Sequence, residues 1–153
     1  MVTIVPFEEK YAVDFRKLNI EWLQEYFRLE SYDEYQLAHP VEEIVDKGGY
    51  IFLAKDDQQI VGTAALMKET DVSFELTKMS VTKKSQGKGI SKMLMDACFR
   101  LAKDKKWDRL FLYSNTKLVP AIQLYRRYGF KEVELETNSH YSRTNIKMEL
   151  KLT

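Results

Sequence analysis

The sequence contains little cysteine and little proline, and it has no long hydrophobic run. Cys98 is its one cysteine, so an internal disulfide is impossible and a zinc ligand set is lacking. No apolar run approaches the roughly 20 residues that span a bilayer. The first ten residues, MVTIVPFEEK, lack the basic start and the apolar stretch of a secretory signal. These absences predict a cytoplasmic protein without a metal site.

An excess of charge of one sign is also missing. The 24 basic and 23 acidic residues leave a net charge of +1, which gives no broad attraction to nucleic acid or membranes. Hydrophobic residues make up 44% of the chain, which is enough for a substantial core. Because no repeat or Pro/Gly/Ser-rich linker divides the 153 residues, we expect a single domain over residues 1–153.

Hydrophobic periodicity and turn residues predict a mixed α+β fold. Strands are predicted at Val2–Pro6, Tyr50–Ala54, Ile60–Met67, Val72–Val81, Leu110–Tyr113, Lys131–Glu136 and Asn145–Leu152. Helices are predicted at about Tyr11–Leu29, at Val41–Lys47, at Gly87–Lys106 and from Pro120 to a stop at Gly129. The order is a strand, two helices, three antiparallel strands, and then helices alternating with strands up to a final antiparallel pair.

The strand Val72–Val81 has an irregular alternation of apolar residues. Phe74 and Leu76 share one parity, whereas Met79 and Val81 share the opposite one. One extra residue between Leu76 and Met79 would return all four side chains to a common face, which is the pattern of a β-bulge. Because a bulge bends a strand away from its neighbour, we predict a local gap in the sheet at this point.

The segment Gln86–Ser91 has the features of an anion-binding loop. It follows a predicted strand, contains Gly87 and Gly89, and opens a helix whose free N–H groups favour negative charge. It is not a dinucleotide fingerprint, because Lys92 occupies the third glycine position, and the chain has no P-loop string. Taken alone, the loop is either a nucleotide-phosphate site or a glycine turn that merely starts a helix.

A second motif favours the phosphate site. Residues 124–130, Leu-Tyr-Arg-Arg-Tyr-Gly-Phe, follow the loop at the spacing of the GNAT acetyltransferase superfamily, whose phosphate motif Arg/Gln-x-x-Gly-x-Gly/Ala resembles residues 86–91. The resemblance runs from about Tyr50 to the C-terminus, with Ser91 in place of Gly or Ala. Further patterns look like a bacterial branch also found fused to MarR-type regulators, here in a stand-alone version: F-E-L-x-K-M-x-V, S-N-T-x-L-x-P-A-I-x-L-Y, and Trp22, Phe27, Glu30 and Asp33.

The resemblance implies a fold, an activity and a cofactor site. The fold would be a mostly antiparallel, bulged sheet flanked by helices, and acetyl-CoA would donate an acetyl group to a primary amine. Backbone groups of Met79, Ser80 and Val81 would pair with pantetheine, and a basic rim of Lys83, Lys84, Lys88 and Lys92 would surround the loop. The implied cofactor-binding residues are Met79, Ser80, Val81, Gln86, Gly87, Lys88, Gly89, Ile90, Ser91, Lys92 and Asn115. Asn115 is included because Leu118 replaces the family's usual asparagine.

Two side chains are implied to carry the chemistry. Tyr125 would be the general acid, because a phenol with a pKa near ~10 keeps its proton at neutral pH and can pass it to the departing thiolate. Glu75 would be the general base, directly or through water, since many superfamily members place a strand glutamate eleven residues before the loop. A core tyrosine and a solvated strand glutamate are the respective alternatives. By alternation, Glu75 should face the side of the sheet opposite Phe74 and Leu76.

The acceptor site is expected between the first helices and the last strands. Trp22, Tyr26, Glu30 and Asp33 would line it from one side, and Tyr141, Arg143 and Asn145 from the other. Carboxylates favour an amine and an arginine favours a carboxylate, so together they suit a zwitterion such as an amino acid or short peptide. The alternative is that Trp22 and Tyr26 simply pack on the sheet. We expect Cys98 to be inert core, and His39 and His140 to be surface residues.

Three function classes stay open at this stage. The first is an N-acetyltransferase that works by direct attack in a ternary complex, with a homodimer as a further expectation from the resemblance. The second is a non-catalytic sensor or interaction module that binds acyl-CoA without turnover. The third is a nucleotide-binding module, which ATP or NAD would stabilise better than CoA.

Overall fold

The computed structural model describes residues 1–27, 29–136 and 143–152. Its strands are β1 (Val2–Pro6), β2 (Tyr50–Asp56), β3 (Gln59–Thr70), β4 (Ser73–Val81), β5 (Arg109–Ser114), β6 (Lys131–Val133) and β7 (Ile146–Lys151). Its α-helices are α1 (Ala12–Tyr26), α2 (Ser31–Ala38), α3 (Ile90–Asp104) and α4 (Val119–Arg127). This confirms the predicted mixed α+β class.

The described strands form one seven-stranded sheet in the order β1-β2-β3-β4-β5-β7-β6. Every neighbouring pair is antiparallel except β4 and β5, which run parallel. That parallel ladder contains three pairs and ends at Glu75 opposite Phe111. Beyond Glu75 the two strands have no paired residues among those described, so the sheet opens between them.

The opening begins where the strand pattern predicted a bulge. Thr63 of β3 pairs with Ser80, but Ala65 pairs with Thr77, so Lys78 and Met79 together face Ala64. Lys78 has a φ of 54°, in the left-handed region that an L-residue enters at a cost of roughly 1–2 kcal/mol. Met79 and Val81 thereby pack against the same core cluster as Phe74 and Leu76. Both the predicted bulge and the predicted gap are therefore confirmed.

Two apolar layers cover the two faces of the sheet. The larger lies under α3, whose stripe of Ile90, Leu94, Met95, Cys98 and Ala102 is buried at helical spacing. The smaller lies under α1 and α2 and contains side chains such as Phe15, Leu37 and Ile51. Because β4 and β5 separate between these layers, both sides of the sheet have access to the same opening.

The helix predictions before the sheet were wrong in their boundaries. α1 ends at Tyr26, where Phe27 adopts an extended backbone, and a second helix follows instead of one helix to Leu29. Glu30 begins α2 through reciprocal capping with Asp33, whose Oδ2 accepts a hydrogen bond from the Glu30 N–H at 3.2 Å. The segment predicted as a helix over Val41–Lys47 is a single π-helical turn, Val41–Val45.

Two other predicted boundaries also differ. The helix predicted over Gly87–Lys106 begins at Ile90, because Gly87 and Gly89 have φ values of 79° and 76° that are incompatible with a right-handed helix. The strand predicted over Lys131–Glu136 is limited to Lys131–Val133, which pairs with β7. Apart from these ends, the predicted elements from Tyr50 onward are confirmed in type and order.

Candidate active site

A cleft of about 1240 Å³ passes through the opening between β4 and β5. Its floor is the β4 segment from Glu75 to Val81, and the loop Gln86–Ile90 borders one end. α1 supplies the wall on one face of the sheet, and α4 supplies the wall on the other. The volume exceeds the roughly 300–1,000 Å³ of typical small-ligand sites, so it has room for a long ligand and a second molecule.

The glycine loop borders the cleft as the sequence predicted. Gly89 is the N-cap of α3 and makes no side-chain cap, so the first N–H groups of the helix are not satisfied by a capping side chain. A Cβ at Gly87 or Gly89 would meet nothing within 4 Å, which leaves open space on the ligand side. The Gln86 amide donates a hydrogen bond to the Val81 carbonyl at 3.2 Å and holds the loop against β4. Ile90, Ser91 and Lys92 also line the cleft, whereas Lys88 is exposed and does not.

The three predicted β4 residues, Met79, Ser80 and Val81, all line the cleft. Ser80 is 3% exposed, and its hydroxyl has no hydrogen-bond partner among the described residues. Buried polar side chains are normally paired, so this unpaired hydroxyl is an exception within the wall of the cleft. The turn after β4 is tied to α1, because the Thr82 hydroxyl and the Lys83 ammonium donate to Glu21 and Glu25 at 3.3 Å each.

Tyr125 lies on α4 and faces the cleft from the α3 side of the sheet. Its ring contacts Phe130 at a centroid distance of 6.0 Å, which fixes the ring against the larger core. Burial raises the pKa of the Tyr125 phenol to about 12. The phenol therefore keeps its proton throughout the neutral pH range and is available as a donor.

Glu75 lies on the opposite face of the sheet, as its alternation with Phe74 and Leu76 predicted, and it lines the cleft. Burial raises the pKa of the Glu75 carboxyl to about 7, although the nearby ammonium groups of Lys78 and Lys147 act in the opposite direction. A carboxyl with a pKa near neutrality is suited to accept a proton at physiological pH. Lys78 borders the same part of the cleft, and burial lowers the pKa of its ammonium.

Tyr113 extends into the cleft from the end of β5, a position the sequence analysis missed. Its hydroxyl donates a hydrogen bond to Glu136 at 3.0 Å, and Glu136 also pairs with Lys147. The Lys147 ammonium lies over the rings of Phe111 and Tyr113, at 5.1 and 5.3 Å from their centroids. Burial, followed by the bond to Glu136, raises the pKa of Tyr113 far above its ordinary value.

Arg143 does line the cleft, but its guanidinium is engaged by the protein itself. It donates to the two Asp33 oxygens at 2.7 and 2.9 Å and to Glu30 at 3.2 Å. Asp33 is fully buried, and this bidentate pair joins α2 to the segment before β7. The prediction that Glu30, Asp33 and Arg143 present separate charges to a zwitterionic acceptor therefore does not fit the structure, because these charges neutralise one another.

The two predicted asparagines stabilise the loops beside the cleft. The Asn115 amide donates to the Arg143 carbonyl at 2.7 Å, and its oxygen accepts from the Lys117 N–H at 2.9 Å. Asn145 is exposed, does not line the cleft, and exchanges hydrogen bonds with Thr116. Asn115 does border the cleft, but both of its polar atoms are used within the chain. Tyr141 and His140 lie outside the described residues.

Aromatic side chains at the end of α1 form a further wall. Trp22 contacts Tyr26 and Phe27 with ring centroids 5.4 and 5.6 Å apart, and all three line the cleft. The Lys117 ammonium lies 4.3 Å from the Phe27 ring centroid and donates to the Tyr26 carbonyl at 3.2 Å. This contact connects the loop before α4 to the end of α1 across the cleft.

Sequence reasoning missed Lys78, Tyr113, Lys117 and Tyr128 as cleft residues. The Tyr128 hydroxyl donates to Asp96 at 2.6 Å and thereby joins α4 to α3 beside the loop. Two of the four had a usable signal, since Lys78 lies at the predicted bulge and Tyr113 ends the strand across the predicted gap. Lys117 and Tyr128 depend on contacts between elements far apart in the chain, for which the sequence has no pattern.

Other sequence predictions concern residues away from the cleft. Cys98 is fully buried, and burial raises the pKa of its thiol to about 12, which agrees with inert core. His39 is exposed at the end of α2. Within the described ranges, no three His, Cys, Asp or Glu side chains converge as a metal site would require. None of the described helices combines the length and apolarity needed to traverse a bilayer.

Comparison with solved structures supports the fold. The chain superimposes with a TM-score of 0.90 on a GNAT-family acetyltransferase from Staphylococcus aureus Mu50, at 22% identity and with both chains fully covered. It superimposes with a TM-score of 0.78 on the paia N-acetyltransferase from Thermoplasma acidophilum in complex with coenzyme A, at 18% identity and 99% coverage of each chain. At these identities the likeness establishes the shared fold alone.

Sequence comparison extends the likeness to the family. Rat N-acetyltransferase 8B is 25% identical over 92 residues, which cover 57% of this chain. The match covers 41% of the rat protein, so the chain spans well under half the length of this curated relative. The profile described as "Acetyltransferase (GNAT) domain" matches residues 47–132, more than half of the chain, and includes both the bulged strand and the glycine loop. The chain therefore belongs to the GNAT acetyltransferase family.

Proposed function

We propose that this protein is an N-acetyltransferase that moves the acetyl group of acetyl-CoA to a primary amine by direct attack in a ternary complex. The observation that carries the proposal is the cleft itself. It brings the glycine loop, the open edge of β4, a carboxyl with a pKa near neutrality and a protonated phenol into one continuous space.

Acetyl-CoA fits the end of the cleft that the loop borders. The N–H groups at the start of α3, together with the positive-φ backbone of Gly87 and Gly89, suit a pyrophosphate. The unpaired β4 edge from Leu76 to Val81 offers backbone groups to the amides of pantetheine, in the manner of an added strand.

The acceptor amine would enter from the α1/α2 face, where Glu75 lies. Glu75, directly or through water, takes a proton from the ammonium. The neutral nitrogen then attacks the thioester carbonyl, forming a C–N bond. The C–S bond breaks, and the departing sulfur receives a proton from Tyr125 on the opposite face. As the tetrahedral species collapses, the second proton of the attacking amine passes to the Tyr125 phenolate and restores the phenol, and Glu75 releases its proton to solvent, so the products are an amide, CoA thiol and one proton.

Replacement of Tyr125 by phenylalanine tests the proposal. We expect Tyr125→Phe to lower kcat by roughly 10²–10⁴-fold, the usual worth of a general acid, with little change in the Kd of acetyl-CoA. CoA release with an amine panel gives kcat, and calorimetry gives the Kd. The matched control is Tyr35→Phe, since Tyr35 is 54% exposed on α2. A fully active Tyr125→Phe enzyme would reject the assigned acid.

The same assay separates the alternatives. Binding and thermal stabilisation by acetyl-CoA without turnover on any amine would indicate a sensor, and stronger stabilisation by ATP or NAD would indicate a nucleotide module.

We also propose that the protein is a cytoplasmic, single-domain homodimer related to the branch found fused to MarR-type regulators. Size-exclusion chromatography with light-scattering detection would measure the molar mass and therefore the oligomeric state.

A further inference from the structure

We infer that the acceptor is a cationic amine that carries no carboxylate near its reacting nitrogen. This inference rests on the proposed function and concerns which amines the same cleft accepts. It depends on seven charged side chains around the acceptor end, here called the acceptor-side cluster. They are Glu30, Asp33, Glu75, Lys78, Glu136, Arg143 and Lys147.

Arg143 is the cation best suited by its chemistry to bind an acceptor carboxylate, but two protein carboxylates already surround it. Asp33 accepts hydrogen bonds from both Nη1 and Nη2 of the guanidinium, and Glu30 accepts a further hydrogen bond from Nη1. A substrate carboxylate at Arg143 would lie beside two negative charges that already outweigh the single positive charge of the guanidinium. Displacing Asp33 would leave an unpaired charge in the core, because Asp33 is fully buried, and this is strongly unfavourable.

The other two cations of the cluster are also matched by carboxylates. Lys147 is 7% exposed, pairs with Glu136, and has its remaining surface covered by the Phe111 and Tyr113 rings. Lys78 interacts electrostatically with both Glu75 and Asp33. At Arg143, Lys78 and Lys147 a substrate carboxylate would therefore meet cations that the protein has already neutralised, beside carboxylates that repel it. The Lys117 ammonium, on the aromatic wall, is engaged by the Phe27 ring and the Tyr26 carbonyl.

The total charge at each end of the cleft also favours a cationic acceptor. The acceptor-side cluster contains four carboxylates and three cations, an excess of one negative charge when Glu75 is ionised. Outside the described part of the chain, residues 137–142 include no Lys, Arg, Asp or Glu in the sequence, and Arg28 is the one such residue. At the loop end the balance is reversed, since Lys92 and Arg127 line the cleft with Asp96 and Glu25, and Glu25 is paired with Lys83. One end of the cleft thus favours an anionic ligand, and the other favours a cation.

The aromatic wall indicates what the amine is attached to. Trp22, Tyr26 and Phe27 present apolar surface to the cleft close to the acceptor side. Such surface packs against alkyl or aromatic carbon, and its rings attract a second cation where one is present. An amine attached to an apolar group therefore suits both the negative charge of the acceptor-side cluster and the aromatic wall. An amino acid would instead place its carboxylate beside the carboxylates of the protein.

Matched acceptors test the inference, with acetyl-CoA held at saturation. Each trio compares an amino acid that has only an α-amine with its carboxamide and its decarboxylated amine: tyrosine, tyrosinamide and tyramine, and likewise phenylalanine, phenylalaninamide and 2-phenylethylamine. The carboxamide keeps the weakly basic α-amine but removes the negative charge. We expect kcat/KM for the amine and the carboxamide to exceed that for the amino acid by about 100-fold. Equal or better turnover of the amino acids would overturn the inference, while acetyl-CoA binding with no turnover of any acceptor would instead reject the proposed function.

A charge variant tests the assignment to the acceptor-side cluster. Glu30→Gln removes one of the carboxylates that neutralise Arg143 while leaving the buried Asp33 pair in place. We expect it to raise the relative kcat/KM of tyrosine over tyramine by about fivefold or more. Glu34→Gln, on the exposed side of α2, makes the same change in net charge and should leave the ratio unaltered. The same ratio in both variants would contradict the assignment.

Discussion

Replacing Glu75 by glutamine should make the protein more stable and less active at the same time. The carboxyl has an ordinary pKa of 4.5, and burial between β3 and β5 raises it to about 7 in the folded chain. A carboxyl whose pKa is raised by folding disfavours the folded state once it ionises. The difference of about 2.5 between the two pKa values corresponds to about 3 kcal/mol, since each pKa unit is worth about 1.4 kcal/mol.

The gain in stability expected for Glu75→Gln depends on pH. Below 4.5 the carboxyl is protonated in both states, so wild-type and Glu75→Gln proteins should be equally stable. Between 4.5 and about 7 the unfolded chain releases the proton more readily, and the wild type loses stability relative to the variant. Above about 7 the difference should level off at roughly 2–3 kcal/mol, equivalent to a rise in Tm of roughly 4–12 °C for a chain of this size.

Two assays on one pair of proteins check this prediction. Thermal unfolding at pH 4 and pH 8 measures the stability difference, and kcat with an amine acceptor measures the chemistry, which should fall by roughly 10²–10⁴-fold. Glu132→Gln, an exposed glutamate on β6, is the control for an ordinary strand carboxylate. A variant no more stable than wild type at pH 8 would refute the burial argument, whereas an undiminished kcat would refute only the role as base.

Three further substitutions probe the walls of the cleft. Gly89→Ala meets open space but must hold a φ of 76°, so we expect a stability loss of roughly 1–2 kcal/mol and a Kd for acetyl-CoA at least tenfold weaker by calorimetry. Asp33→Asn breaks a buried pair with Arg143 and should cost roughly 3–5 kcal/mol in urea unfolding. Tyr128→Phe loses the 2.6 Å bond to Asp96 and should cost about 1 kcal/mol in thermal unfolding, with Tyr35→Phe unaffected. A change below 0.5 kcal/mol in either of the last two would contradict the contact assigned to it.

Local patterns in the sequence were sufficient for the cofactor end of the cleft. The bulge was predictable because side chains alternate along a strand, so a change of parity between Leu76 and Met79 requires an extra residue. The loop was predictable because Gly87 and Gly89 adopt backbone angles that other residues resist. The helix that contains Tyr125 was predictable from its proline start and its glycine stop. Each of these signals depends on residues within about one turn or one strand of each other.

The helix α2 shows where local reasoning stopped short. Its capping box uses Glu30 and Asp33 in place of the usual Ser or Thr followed by Glu or Gln. The sequence therefore predicted a single helix up to Leu29 and did not indicate that a second helix begins after Glu30. Asp33 also accepts a hydrogen bond from Arg143, so one side chain both caps α2 and joins it to the segment before β7. The usual capping sequence would not have indicated this helix boundary.

By itself the sequence determined the fold class, the bulged strand, the glycine loop and the position of Tyr125, because short-range sterics and side-chain alternation act within a few residues. Only the tertiary structure decided how the charges at the proposed acceptor end are matched. Arg143 and Asp33 are 110 residues apart in the chain, and their pairing turned an expected carboxylate-binding arginine into a link between α2 and β7. Electrostatic energy depends on separation in space, and the separation of distant residues is set by the order of strands in the sheet.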